Sequence, residues 1–141
     1  MNRDEILALM KRRLAAYAAH DAAALAATHA ENGSVASPIG GVLEGRAEIE
    51  RVYRTVFSAF PDIVPEQDDL LIDGDRVVLI LRFSGTHAGD FMGLPATGRQ
   101  VEFQIAYLMS VADGFVVDER RIYDFTGLLV QVGVLKAKPS I

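Results

Sequence analysis

From Arg46 to Thr86 the chain reads RAEIERVYRTVFSAFPDIVPEQDDLLIDGDRVVLILRFSGT, and its hydrophobic period changes partway along. In the first part Ile49, Val52, Tyr53, Val56, Phe57 and Phe60 recur at steps of three and four. That spacing lines one face of a helix over about Arg46–Phe60. Pro61 ends it, because a proline disfavours the helical backbone of the residue before it. Beyond Pro61 the pattern is that of strands, Ile63–Ile72 and Arg76–Thr86. Asp73-Gly74-Asp75 between them predicts a tight hairpin, since Asp-Gly suits a turn that needs positive φ.

Toward the C-terminus the same signal repeats. Gln100–Val111 and Phe115–Tyr123 read as a second pair of long strands joined across Ala112-Asp113-Gly114. Residues 125–134 read as a short closing helix or coil, and 135–141 as a tail. Toward the N-terminus, residues 3–19 read as a helix, with Ile6, Met10, Leu14 and Tyr17 on one side and Lys11, Arg12 and Arg13 mostly on the other. Asp21 can cap a second, Ala-rich helix through about His29. Glu31-Asn32-Gly33 breaks it, Ser34–Ser37 is a short strand, and Pro38 to Gly45 is a glycine-rich turn. Helices first and antiparallel strands later is the α+β pattern, expected here as three N-terminal helices on a strongly curved, mainly antiparallel sheet around a pocket.

The bulk composition narrows the function. The chain has 141 residues, 50% of them hydrophobic and 23% charged, with a net charge of −5. This is the composition of one globular domain, spanning 1–141, with enough apolar mass for a core. The densest basic spots are Lys11-Arg12-Arg13 and Arg120-Arg121, too small for a nucleic-acid footprint. No cysteine is present, which excludes disulfides, zinc–thiolate sites and thiol nucleophiles. The charged start Met1-Asn2-Arg3-Asp4-Glu5 has no apolar signal core and no stretch reaches the length of a membrane span, so the expected location is cytoplasmic. The three histidines lie far apart, without metal-ligand spacing, and neither a phosphate-binding glycine loop nor Gly-x-Ser-x-Gly occurs. No metal is expected, nor nucleotide hydrolysis or serine esterase chemistry.

Several short motifs occur in a familiar order: Ala59-Phe60-Pro61-Asp62, Asp73-Gly74-Asp75-Arg76-Val77, Gly85-Thr86-His87, Phe91-Met92-Gly93-Leu94-Pro95-Ala96-Thr97-Gly98, and Tyr123-Asp124-Phe125-Thr126-Gly127-Leu128-Leu129 with Gln131 and Gly133. Together they resemble the SnoaL-like polyketide (ester) cyclases of the nuclear-transport-factor-two-like superfamily. The resemblance implies a cone-shaped α+β barrel with one apolar pocket. It also implies intramolecular aldol ring closure of an aromatic polyketide ester, with no metal and no cofactor.

The resemblance matches the family's catalytic carboxylate to Asp124. Such a residue removes a proton next to a carbonyl when a dry pocket raises its pKa. Its local sequence equally allows a helix N-cap. Strand alternation puts residues 118, 120, 122 and 124 on one face, so Arg120 becomes a partner for Asp124 or for an enolate, and a salt bridge to Asp118 or Glu102 is the other option. Gln104 stands mid-strand as a polar residue that needs a partner, either a substrate carbonyl or a neighbour in the sheet. The resemblance implies a histidine assisting the aspartate from this general part of the sheet, and this strand carries none. His87 either polarises a carbonyl or pins the loop after it. His20 and His29 at helix ends read as structural.

Tyr17, Tyr53, Phe57 and Phe60 read as core or pocket wall, and Phe91 and Met92 as a rim or lid. The expected ligand is a small hydrophobic molecule. A homodimer is expected through the outer sheet face, with Val101, Phe103 and Ile105 suited to the interface. A non-catalytic protein that holds an apolar ligand in the same fold is the alternative reading.

Overall fold

The computed structural model describes residues 1–136, so the end of the expected tail, 137–141, lies outside the described residues. Helix α1 (Arg3–Ala18) opens with a capping box: the Asn2 side chain accepts from the Glu5 amide and the Glu5 carboxylate accepts from the Asn2 amide. His20 takes a positive φ of 54° at the corner before α2 (Ala22–Ala27), where Asp21 caps the Ala24 amide at 2.9 Å.

The second helix is shorter than expected and does not include His29. Thr28 turns its hydroxyl back to Leu25 O at 2.6 Å, and the backbone leaves as strand β1 (His29–Ser37). Pairing with a distant strand decides this, since the Val116 amide donates to Thr28 O and His29 lies opposite Val116. β1 therefore starts well before the expected Ser34. The glycine-rich turn hides a short strand, β2 (Gly41–Glu44), folded back on β1. Helix α3 (Arg46–Ala59) follows Gly45, whose φ of 89° excludes most other residues at that corner. Then come β3 (Val64–Asp73), β4 (Arg76–Thr86), β5 (Gln100–Ala112), β6 (Phe115–Ile122) and α4 (Phe125–Gln131). Both Asp-Gly hairpins form, with positive φ at Gly74, Asp113 and Gly114. The three expected N-terminal helices are present, with β1 and β2 between the second and the third, and α4 stands where a closing helix or coil was expected.

The six strands form one sheet in the order β2-β1-β6-β5-β4-β3. All pairs are antiparallel except β1–β6, which is parallel and closes the N-terminal half onto the C-terminal half. The order has two ends, so the sheet is open and the expected barrel does not close. Irregular registers at Gln67/Asp69 and Ser110/Val111 are bulges, which bend strands and sharpen twist.

The first three helices cover one face. Ile6, Leu9 and Met10 of α1, Leu25 of α2, and Ile49, Tyr53 and Phe57 of α3 pack on Val77, Leu79, Leu81 and Phe83 of β4 and on Val101, Ile105, Tyr107 and Met109 of β5. Each fully buried apolar side chain of this size contributes about 1.5–3 kcal/mol. Val101 and Ile105, with half-buried Phe103, thus belong to the inner face, which corrects their expected place on an outer dimer surface. β6 stops pairing at Ile122 opposite Ala106, leaving the start of β5 short of a neighbour. Gln131 of α4 takes that place: its Oε1 accepts from the Glu102 amide at 2.7 Å and its Nε2 donates to Glu102 O at 2.8 Å. No described helix is long and apolar enough to cross a membrane.

Candidate active site

Arg13 falls on the buried stripe of α1, because 6, 10, 13 and 17 are successive positions of one helical face. This corrects its expected place on the polar side. Its guanidinium reaches across to β6, where Nη2 lies 2.5 Å from Glu119 Oε1. Glu119 Oε2 in turn accepts from Arg121 Nε at 2.7 Å. Both strand residues point inward because a bulge leaves Val117 extra between Val116 and Asp118, so 116, 119 and 121 share the helix-covered face. Arg13, Glu119 and His29 are fully buried and Arg121 is 9% exposed.

Hydroxyls complete the cluster. Arg121 Nη2 donates to Tyr53 OH at 2.8 Å, and the Tyr17 and Tyr107 hydroxyls are 3.1 Å apart. Tyr53 OH is 3.2 Å from His29 Nε2, which is also 3.1 Å from Arg13 Nη1. A guanidinium only donates, so Nε2 is an acceptor and the ring proton sits on Nδ1. Arg13 Nη1 also donates to Thr28 Oγ1 at 2.9 Å. The Arg121 guanidinium lies over the Tyr53 ring, 4.9 Å from its centre.

The charges of this cluster follow from burial and neighbours. Burial pushes Glu119 up, but Arg121 and then Arg13 outweigh it and hold the carboxyl at about 2. Burial pulls His29 down to about 3, against the attraction of Glu119, so it is neutral. Burial raises Tyr17, Tyr53 and Tyr107 well above their usual range, so each hydroxyl keeps its proton and acts as a donor.

Above the cluster opens a cavity of about 390 Å³. Arg121, Tyr17, Tyr53 and Tyr107 form its polar floor, and Val52, Val56, Phe57, Phe60, Phe83 and Ile105 are among its apolar walls. Phe91 and Met92, from the loop between β4 and β5, also line it. Phe91 is buried while Met92 is 52% exposed with a positive φ of 52°. Of the residues singled out from the sequence, the structure therefore brings Tyr17, Tyr53, Phe57, Phe60, Phe91 and Met92 to one cavity.

The other four lie elsewhere. Asp124 is exposed and caps α4, its Oδ1 accepting from the Gly127 amide at 2.8 Å. Gln104 is exposed on the outer sheet face and donates to Asp68 at 2.8 Å. Asp124 and Gln104 border a second cleft there, with Glu102 and Gln131. Arg120 is exposed opposite Leu108, facing away from the cavity. Alternation does put 118, 120 and 122 together, but on the outer face, which corrects the expected pocket placement. His87 is fully buried behind the wall, its ring 5.8 Å from Phe60 and 6.3 Å from Phe91, with Nδ1 2.9 Å from Thr97 Oγ1.

Sequence reasoning missed Arg13, His29, Tyr107, Glu119 and Arg121 as a group. A signal was present: Arg13 sits in register with an apolar stripe, and Glu119 and Arg121 alternate with exposed residues. Among the described residues no three His, Asp or Glu side chains converge as a metal-ligand set.

Comparison with known proteins places this architecture. Over 61 residues the chain is 36% identical to the aklanonic acid methyl ester cyclase DnrD of Streptomyces peucetius. That stretch spans 43% of this chain and 42% of the relative, so the likeness covers less than half of either. AclR, a proposed hydroxylase of Streptomyces galilaeus, superposes with a TM-score of 0.85 at 27% identity over 98% of this chain and 87% of its own. TsrD of Streptomyces laurentii superposes with a TM-score of 0.84 at 28% identity over 96% of this chain and 99% of its own. The model of the SnoaL-like polyketide cyclases matches residues 8–132, from the middle of α1 through α4 and so across every strand of the sheet, and the chain belongs to that family.

Proposed function

We propose that the chain is a cofactor-independent enzyme that forms an enolate from a bulky apolar carbonyl compound, as in intramolecular aldol cyclisation or isomerisation. One observation carries this reading: protonated tyrosine hydroxyls and a buried guanidinium form the floor of an otherwise apolar cavity. When a proton passes from the carbon beside a carbonyl to water, to be returned from water to the alkoxide at the end, the electron pair moves to the carbonyl oxygen. Preset donors in a dry site favour that charge far more than water-exposed ones do. Arg121 is such a donor, as is whichever of the Tyr17 and Tyr107 hydroxyls does not give its proton to the other, while Tyr53 donates to His29 and holds the Arg121 guanidinium in place. The enolate carbon then attacks a second carbonyl of the same molecule, and the new alkoxide takes up a proton, so the product is an isomer of the substrate.

The cluster is rich in acids and poor in bases. Glu119, held at about 2 by its two arginines, is a weak base. The reading therefore gives the floor the oxyanion, and it suits substrates whose C–H is acidified by flanking carbonyl groups. Asp124 as the general base would need a substrate seated in the outer cleft, and the apolar cavity is the better-supported seat. The non-catalytic alternative has no observation in its favour beyond the same cavity.

The experiment is turnover of an aromatic polyketide methyl ester, read by chromatography as appearance of an isomer of equal mass. Tyr107→Phe and Arg121→Met should each slow it by about 10²–10³-fold, the loss typical of an oxyanion donor. Full activity in both variants, or loss in Asp124→Asn with an intact fold, would move the chemistry away from this cavity.

A cytoplasmic location and a homodimer belong to the same proposal. The outer sheet face supports the dimer: Leu71, Val78 and Leu108 lie side by side in register, as do Ile80, Ala106 and Ile122, with Leu71 59% and Ile122 51% exposed. Leu108→Glu should shift the mass in analytical ultracentrifugation from dimer to monomer.

A further inference from the structure

We infer that the cavity takes its substrate already ionised, as a flat hydrophobic molecule carrying one negatively charged oxygen that docks on Arg121. The inference rests on the reading of the cavity as the substrate site and names the class of molecule it takes. Its first support is a charge count. The buried ionised groups among the described residues are Arg13, Glu119 and Arg121, two cations against one anion. His29, Tyr17, Tyr53 and Tyr107, which face them from β1, α1, α3 and β5, are neutral. The cluster thus holds one positive charge without a counter-charge. Burying an unpaired ion is costly, and proteins keep one where something pairs with it.

Geometry says where the partner goes. Arg13 lies beneath, committed to Glu119, Thr28 and His29, and does not reach the cavity. Arg121 does reach it. Its Nε is spent on Glu119 and its Nη2 on Tyr53, while among the described residues Nη1 has no protein partner. Among the described residues no aspartate or glutamate lines the cavity; the charged lining residues are Arg121 on the floor and Arg51 at the exposed rim, where Arg51 is paired with Glu48. One free guanidinium donor beside tyrosine hydroxyls matches a single oxyanion, while the phenyl-lined walls match a flat ring system. Phenolates, the enolates of 1,3-dicarbonyl compounds and aryl carboxylates share this chemistry. Where the oxyanion is the enolate of a 1,3-dicarbonyl, no strong base is needed to reach it, which agrees with the weak base on the floor.

Isothermal titration of the full chain with 2-naphthoate, 2-naphtholate at alkaline pH and neutral 2-naphthamide tests this. Both anions should bind at least about tenfold more tightly than the amide, and Arg121→Met, checked for fold by circular dichroism, should bring the three within about twofold. Wild-type protein that binds the amide as tightly as the anions overturns the inference and leaves the cavity reading standing. Failure of all three to bind at millimolar concentration overturns both. If Arg121→Met does not fold, the wild-type ranking alone decides, and a preference that falls away in high salt in an Arg51→Met control would assign the anion to the rim and overturn the floor assignment.

Discussion

Arg13 in the first helix and Glu119 in the sixth strand meet at 2.5 Å across 106 residues of sequence, both side chains fully buried. The contact joins the two ends of the fold beneath the cavity, and Arg121 shares the same carboxylate. A charge pair in such a place is costly to desolvate and costlier to break, because the survivor stays buried without a partner.

Replacing Glu119 with Gln leaves two buried guanidiniums and no anion. We expect a loss of about 3–5 kcal/mol of stability, measured by urea unfolding. Arg13→Met should cost less, since Glu119 keeps Arg121 and the remaining pair is neutral. Equal effects would mean that the two arginines are not shared through one carboxylate.

Acid should unfold the protein in two stages. His29 has a folded value of about 3 against 6.5, so the unfolded chain binds its proton first and stability falls as pH drops from 6.5 toward 3. Glu119 has a folded value of about 2 against 4.5, so its contribution is complete above 4.5 and is lost as pH falls toward 2. Each group adds a slope of at most about 1.4 kcal/mol per pH unit within its window. Melting temperature against pH should therefore decline below about 6.5 and steepen below about 4.5. His29→Gln should flatten the upper stage, and a wild-type curve already flat there would count against a buried neutral histidine.

Asp124→Ala removes the cap of α4 and nothing from the cavity. Stability should fall by about 1 kcal/mol, as for other helix caps, while turnover stays unchanged. Both are measured on one preparation, so a stable but inactive variant would return the catalytic carboxylate to Asp124.

Gly89 is pressed against the end of α3: its amide donates to Ala59 O, and an added Cβ would collide with the Ser58 carbonyl oxygen. Gly89→Ala should cost about 1–3 kcal/mol, the usual penalty of overpacking, read as a lower melting temperature. It should also weaken ligand binding, because the same loop carries Phe91 and Met92 to the cavity.

The kinds of element and most of their limits were legible in the sequence. The stripe from Ile49 to Phe60, the stop at Pro61 and the two Asp-Gly turns are local signals, and local backbone preference is enough to produce them. The errors cluster where partners are remote. His29 leaves its helix because Val116 pairs with that stretch. β2 escaped notice because a four-residue strand in a glycine-rich segment exists only through its pairing with β1.

The site was legible in its apolar part and not in its charged part. Tyr53, Phe57 and Phe60 announce an inward face by their spacing alone. For β5, and for β6 beyond its bulge at Val117, the sequence determined which residues share a face, since alternation is a property of the strand itself. Which of the two faces looks inward was decided only by the tertiary structure, where the first three helices cover Val101, Ile105, Tyr107, Glu119 and Arg121 and leave Gln104, Arg120 and Asp124 in solvent. The physical reason is that a charged residue reads as exposed until its partners are known. Arg13, Glu119 and Arg121 are tolerable inside only together, and nothing in the order of the residues says that they will meet.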